Sequence, residues 1–190
     1  MTPTIATTPP TAMMSKEDTL KVARELGLPE RLANLNATRI FLYSPVSAGA
    51  MFNFLIAMMT TDTLSARLRE LIILRLAWLG KSVYEFSHHA EISRELGIAE
   101  EEIMGVRNPD ACRNYNEIDR AVLAMTDDLA TGMQIKQKTW DFLERSFSKP
   151  ELNELLFTVG LWRMQACWLN AIRPPLEEGL VPWAGAGEPV

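Results

Sequence analysis
The run from Ser65 to Leu79 is apolar almost all the way round, because Leu68, Leu71, Ile72, Ile73, Leu74, Leu76, Ala77, Trp78 and Leu79 leave little polar face. A helix without a polar side must be enclosed by other elements, so this stretch predicts a central, buried helix. Gly80 and Lys81 then offer a tight stop, Ser82 is a good N-cap, and Glu85 stands three residues later in the capping-box position. A second helix is expected from Ser82 to Leu96, with Gly97 as its C′ residue.

Folded back as a hairpin, this pair places Glu70 ten residues before the turn and His89 nine residues after it. At a rise of about 1.5 Å per residue, both side chains stand about 15 Å from the turn. On the second helix Ser82, Glu85, His89, Ile92 and Leu96 fall along one stripe. Glu85 therefore shares the apolar face with His89. A carboxylate in apolar surroundings is costly unless paired or protonated, so Glu85 is expected to lean on His89 or on a cation from another helix, which makes a general acid/base pair. Plainer readings stand beside this one. Glu85 can be a capping acid, His89 a satisfied core histidine, and Glu70 one member of a salt-bridge network with Arg67, Arg69 and Arg75. His88 projects toward Tyr84, Glu91 and Glu95 and is read as a rim residue. Glu70, Glu85 and His89 lack a recognised metal-ligand spacing, and neither a metal nor another cofactor is expected.

The pattern LSARLRELIILRLAWLGKSVYEFSHHAEISRELGIAEEEI resembles the alkylhydroperoxidase D-like and carboxymuconolactone decarboxylase superfamily, over most of the chain. In the alkylhydroperoxidase D branch a Glu is followed after eleven residues by a Cys-x-x-Cys pair and, three residues later, by a His. This chain keeps that frame as Glu70, Ser82, Glu85 and His89, with both cysteine positions changed. Thiol peroxidase chemistry needs a thiolate nucleophile and a resolving partner, and Ser82 and Glu85 supply neither. What the resemblance then implies is nearer the decarboxylase side: cofactor-free acid/base work on a lactone or small organic acid.

The remaining chain reads as an all-α scaffold for this hairpin. Its 190 residues suit one domain with a sizeable core, and 47% hydrophobic with 23% charged residues is ordinary for a globular protein. A net charge of −5 with no basic patch argues against nucleic-acid binding. Cys112 and Cys167 are far apart and are read as free thiols in a reducing, cytoplasmic compartment. Residues 1–14 are expected to be a disordered leader, 15–181 the single helical domain, and 182–190 a loose tail with Trp183 as its anchor. Helices are expected over 15–26, 30–43, 46–59, 99–106, from a cap at Asn114 to Ala130, over 136–147 and over 151–172. Pro45, Gly49 and Asn53 interrupt the apolar span 40–59, so no membrane crossing is expected. Leu68, Glu70, Leu71 and Trp78 recur at a constant offset as Leu152, Glu154, Leu155 and Trp162.

The last long helix is expected to form the other wall of a pocket, with Trp162, Arg163, Gln165, Cys167, Trp168 and Asn170 on that face. An acidic substrate needs a cation, for which Arg163 and Arg75 compete. The catalytic expectation is Glu85 and His89 moving protons while Glu70 orients His89; Ser82, His88, Arg75, Trp162 and Arg163 are the substrate-binding candidates. Ser82 is either an active hydroxyl or a cap. The partner of such a site is a small molecule, and the functions in competition are a lyase or isomerase, a peroxidase working through Cys167, and a non-catalytic binding protein. Exposed Met, Phe and Trp on short helices point to a homo-oligomer, which the resemblance implies is a trimer, hexamer or dimer.

Overall fold
The computed structural model describes residues 12–180 and Pro182. Ten helices follow in order: α1 Lys16–Glu25, α2 Glu30–Ala33, α3 Thr38–Phe41, α4 Pro45–Thr60, α5 Ala66–Leu79, α6 Val83–Glu95, α7 Glu100–Gly105, α8 Glu117–Thr131, α9 Gln137–Ser146 and α10 Lys149–Ile172. Among the described residues there is no strand, and the fold is all-α. No helix there is long and apolar enough to cross a membrane.

Helix α5 is the central element, packed against α6, α8 and α10. Every residue from Leu68 to Ala77 is buried, polar and charged ones included. Its two sides feed separate clusters. Leu68, Ile72, Ile73 and Leu76 join Val122, Leu155 and Trp162, while Leu71, Leu74 and Ala77 meet Phe86, Ala90, Ile103 and Leu123. The internal echo is therefore a pairing of neighbours, since α5 lies against α10.

The α5–α6 turn closes with Ser82 N–H donating to the Ala77 carbonyl at 2.8 Å and Lys81 N–H to that of Trp78 at 3.1 Å. This is the pattern of a Schellman end, and its left-handed residue is Lys81 at φ 56°, not Gly80 at −78°. Asn170 of α10 donates to the Gly80 carbonyl at 2.5 Å and fastens the turn to the last helix.

Two expectations change. The single helix over 30–43 is two four-residue helices, α2 and α3. Between them the Asn36 N–H donates to the Glu177 carboxylate at 2.7 Å rather than to a carbonyl four residues back, and the Leu32 carbonyl is taken by the Thr38 hydroxyl at 2.6 Å. Helix α8 is capped by Asn116, not Asn114, through a reciprocal box in which Asn116 accepts from the Asp119 amide and Asp119 from the Asn116 amide. At the leader boundary, Met14 exchanges bonds with Arg39, its N–H reaching the Arg39 carbonyl at 2.9 Å and its carbonyl the Arg39 Nε at 2.9 Å. The rest of the expected leader, residues 1–11, and Trp183 in the expected tail lie outside the described residues.

Candidate active site
Glu70 is completely buried in α5. Its Oε2 lies 2.7 Å from Nδ1 of His89 on α6, the same-height contact that the hairpin register requires. The guanidinium of Arg69 is 3.9 Å from the other oxygen, too far for a hydrogen bond, and reaches instead for the Met58 carbonyl at 3.3 Å. On the far side of the imidazole, Trp162 Nε1–H of α10 points at His89 Nε2 from 3.2 Å. A tryptophan N–H only donates, so Nε2 carries the lone pair and Nδ1 the proton in neutral His89. The order is carboxylate, Nδ1–H, Nε2 lone pair: a base oriented by an acid.

Glu85 sits one turn earlier on the same face of α6 and is 3% exposed. The expected pairing with His89 or with a cation is absent, because His89 is already held by Glu70, and among the described residues neither Glu85 oxygen has a hydrogen-bond partner. Burial pushes this carboxyl well above its ordinary value, and the nearby Ser82 hydroxyl draws it back only in part. Burial thus favours the protonated form of Glu85, beside an imidazole whose Nε2 lone pair accepts from the Trp162 N–H. The capping roles also fall away, since the Ser82 side chain caps nothing and its buried hydroxyl is unpartnered.

Glu85 and His89 line a cavity of about 460 Å³. Its walls come from the α2–α3 segment through Leu32, Leu35 and Phe41, from α4 through Phe52, Leu55, Ile56 and Met59, and from α10 through Trp162, Gln165 and Leu169. The interior is largely apolar. Among the described residues Arg31, exposed at the mouth with Glu91 and Glu95, is the single Arg or Lys of the lining.

The remaining sequence candidates divide accordingly. Trp162 and His88 line the cavity, while Ser82, Arg75 and Arg163 do not. Arg75 forms a two-pronged bond to Asp127 of α8, at 2.6 and 2.8 Å, and donates to the Val106 carbonyl at 2.6 Å. Arg163 donates to the Leu129 carbonyl at 2.9 Å. Both tie elements together, so neither supplies a cation to the interior. Cys112 is buried and Cys167 exposed, both are free, and neither faces the cavity. Sequence reasoning missed Glu177, whose carboxylate binds His88 at 2.6 Å and the Tyr84 hydroxyl at 2.5 Å. It follows Pro174 and Pro175 in a non-helical segment where no periodicity marks it.

Residues 45–128 match the Carboxymuconolactone decarboxylase family model. No curated protein matches the sequence. Among solved structures, the debrominase Bmp8 in complex with 2,3,4-tribromopyrrole superposes with a TM-score of 0.73 at 17% identity, covering 90% of this chain and 94% of that one. An uncharacterized peroxidase-related protein from Ralstonia eutropha, with an alkylhydroperoxidase AhpD core, gives 0.72 at 16% identity over 93% of this chain and 99% of that one. A further uncharacterized peroxidase-related protein, from Silicibacter sp., gives 0.69 at 16% identity over 95% of each chain. Family model and fold agree: residues 45–128 carry the carboxymuconolactone decarboxylase family match, and they sit in an alkylhydroperoxidase D-like all-α fold.

Proposed function
We propose that this protein is a cofactor-independent acid/base enzyme, a lyase or isomerase acting on a small lactone or related organic acid. The observation that carries the reading is the juxtaposition in one apolar cavity of an oriented imidazole, His89 on Glu70, and a buried carboxyl, Glu85, which burial pushes toward its protonated form. His89 Nε2 takes a proton from the carbon next to the substrate carbonyl. The resulting imidazolium is stabilised by Glu70 through Nδ1–H, and the C–H electron pair moves into the carbonyl as an enolate. Glu85 delivers its proton either to a remote carbon, completing a double-bond shift, or to a departing oxygen, completing an elimination. The proton held by His89 then returns to Glu85, because a carboxylate in that position is costly.

The Trp162 N–H bond to Nε2 is long for its kind and holds the ring until substrate takes its place. An interior with no Arg or Lys favours a neutral lactone or ester over a carboxylate. The tribromopyrrole of the debrominase shows that a small, neutral, flat molecule can be bound by a protein of this fold, and a cavity of this size suits such a ligand. Ser82 and Glu85 at the two cysteine positions, with Cys167 outside the cavity, leave thiol peroxidase chemistry without support. Exposed Phe54, Phe157, Met164 and Val46 support assembly into a homo-oligomer, which we place in the cytoplasm.

The test is a panel of lactones and β,γ-unsaturated carbonyl compounds followed by proton NMR in D₂O, where deuterium uptake next to the carbonyl reports the base even without net turnover. Exchange by the wild type that is abolished in His89→Gln and reduced at least tenfold in Glu70→Gln supports the assignment. Exchange that survives His89→Gln, or a cavity that binds panel members without exchanging any, refutes it and favours a binding protein.

A further inference from the structure
Glu85 and His89 do not exhaust the polar groups of the cavity. His88, next to His89 on α6, also lines it and sends Nε2 to Glu177 Oε2 at 2.6 Å. Glu177 lies in the segment after α10, and its other oxygen accepts from the Tyr84 hydroxyl and the Asn36 amide, the latter at 2.7 Å. Asn36 Nδ2 donates in turn to the Pro175 carbonyl at 3.2 Å, fastening the segment beside the carboxylate. Leu176 packs with Ala37, Tyr84 and Leu169. Burial raises the Glu177 carboxyl, but the bonds from His88, Tyr84 and Asn36 outweigh it and hold it at about 2.

An ionised carboxylate can only accept, so Nε2 of His88 is the protonated nitrogen and the neutral ring carries its lone pair on Nδ1. Among the described residues the imidazole contacts Glu177 and, at 4.5 Å between ring centres, Tyr84. This mirrors His89 with the nitrogens exchanged: one ring is anchored through Nδ1 and offers Nε2, the other is anchored through Nε2 and offers Nδ1. The other titratable or charged groups sharing the cavity are Arg31 from the α2 side and Tyr84, Glu85, His89, Glu91 and Glu95 from α6.

We propose that His88 and Glu177 form a second histidine–carboxylate dyad of the cavity, in which Nδ1 of His88 accepts the proton of a weakly acidic O–H on the ligand, such as an enol or a phenol. The ligand O–H bond breaks, its electron pair stays on oxygen, and the proton makes an imidazolium paired with Glu177; the reverse transfer restores both. The C-terminal segment is thereby part of the site. This rests on the cavity being the ligand site, as proposed above, but not on which reaction occurs there.

The experiment is long-range proton–nitrogen NMR of the two imidazoles in wild type, Glu177→Gln, His88→Gln and His89→Gln, alone and with 4-nitrophenol as probe. We expect His88 as the Nε2–H tautomer, a shift of its Nδ1 resonance by 4-nitrophenol together with phenolate absorbance, and a weakening of both responses in Glu177→Gln. The absorbance change is expected to vanish in His88→Gln and to persist in His89→Gln. An Nδ1–H tautomer, a probe response indifferent to Glu177→Gln, or a probe that shifts His89 but not His88 overturns the second dyad and leaves the first intact. A probe that shifts neither imidazole overturns the cavity as the ligand site, and both proposals with it.

Discussion

Replacing Glu85 by Gln tests the electrostatic core of the site without needing a substrate. The folded state keeps the Glu85 proton because burial raises the carboxyl well above its ordinary value. The unfolded chain releases it near the usual carboxylate pKa of about 4.3. Above that pH the native state binds one proton more than the unfolded state, so stability falls as pH rises, by about 1.4 kcal/mol per unit, until native Glu85 itself ionises. Below it the cost is absent. Glutamine has nearly the shape of the protonated acid and never ionises, so Glu85→Gln removes this slope. For a chain of this size about 1 kcal/mol corresponds to 2–4 °C of melting temperature. The variant is therefore expected to melt close to the wild type at pH 4 and to gain on it by about 3–6 °C for each pH unit above the carboxylate range. Differential scanning calorimetry at fixed protein concentration reads this directly. Parallel melting curves from pH 4 to 8 would show that Glu85 is paired and ordinary, and the acid of the proposed mechanism would be gone.

The other expectations concern single contacts. Glu177→Gln removes a carboxylate held at about 2; a lowered acid stabilises above its unfolded pKa and loses that contribution as pH falls, so the wild type's advantage should shrink between about pH 4.3 and pH 2 in acid-denaturation curves, and an advantage independent of pH refutes it. Arg75→Met leaves the Val106 carbonyl and Asp127 without their guanidinium and should cost about 2–3 kcal/mol in urea unfolding while ligand affinity for the cavity is unchanged; lost affinity at full stability would return Arg75 to the pocket. Lys81→Gly relieves a left-handed backbone at φ 56° and should stabilise by about 0.5–1 kcal/mol in the same assay, a result that a destabilised variant would contradict.

How much of this was legible depended on whether a local rule decided the question. The hairpin and the meeting of Glu70 with His89 follow from residue counts and helical rise alone, and the 2.7 Å contact is their consequence. Side-chain direction on α5 was not legible, because a helix buried on every side gives no polar face from which to tell that Arg75 turns to α8. The break between α2 and α3 depends on Glu177, 141 residues away in sequence, which takes the Asn36 N–H. Cap position was closer to hand: Asn116 with Asp119 is a reciprocal box that the composition of residues 113–117 obscured by offering Asn114 first. Glu85 is expected to lean on His89 or on a cation from another helix, but the stripe on α6 says only that it shares a face with His89. It cannot say that Glu70 has already filled the one anchoring nitrogen.

That occupied nitrogen explains why the change at the second cysteine position alters the chemistry open to the fold. A residue one turn before His89, in the cavity lining, has no hydrogen-bond partner among the described residues. A thiol tolerates such a place at little cost, since its neutral form is only weakly polar. A carboxyl tolerates it only by keeping its proton. The same enclosure that would hold a cysteine as an unionised thiol pushes the Glu85 carboxyl toward its protonated form, while the Glu70–His89 contact is the same in either case. Redox cycling needs two sulfurs within bonding reach; acid/base cycling needs two groups whose surroundings push their protons in opposite directions. With Ser82 and Glu85 in place the first requirement is unmet, and the proposed mechanism rests on the second, through burial on one side and a buried carboxylate on the other.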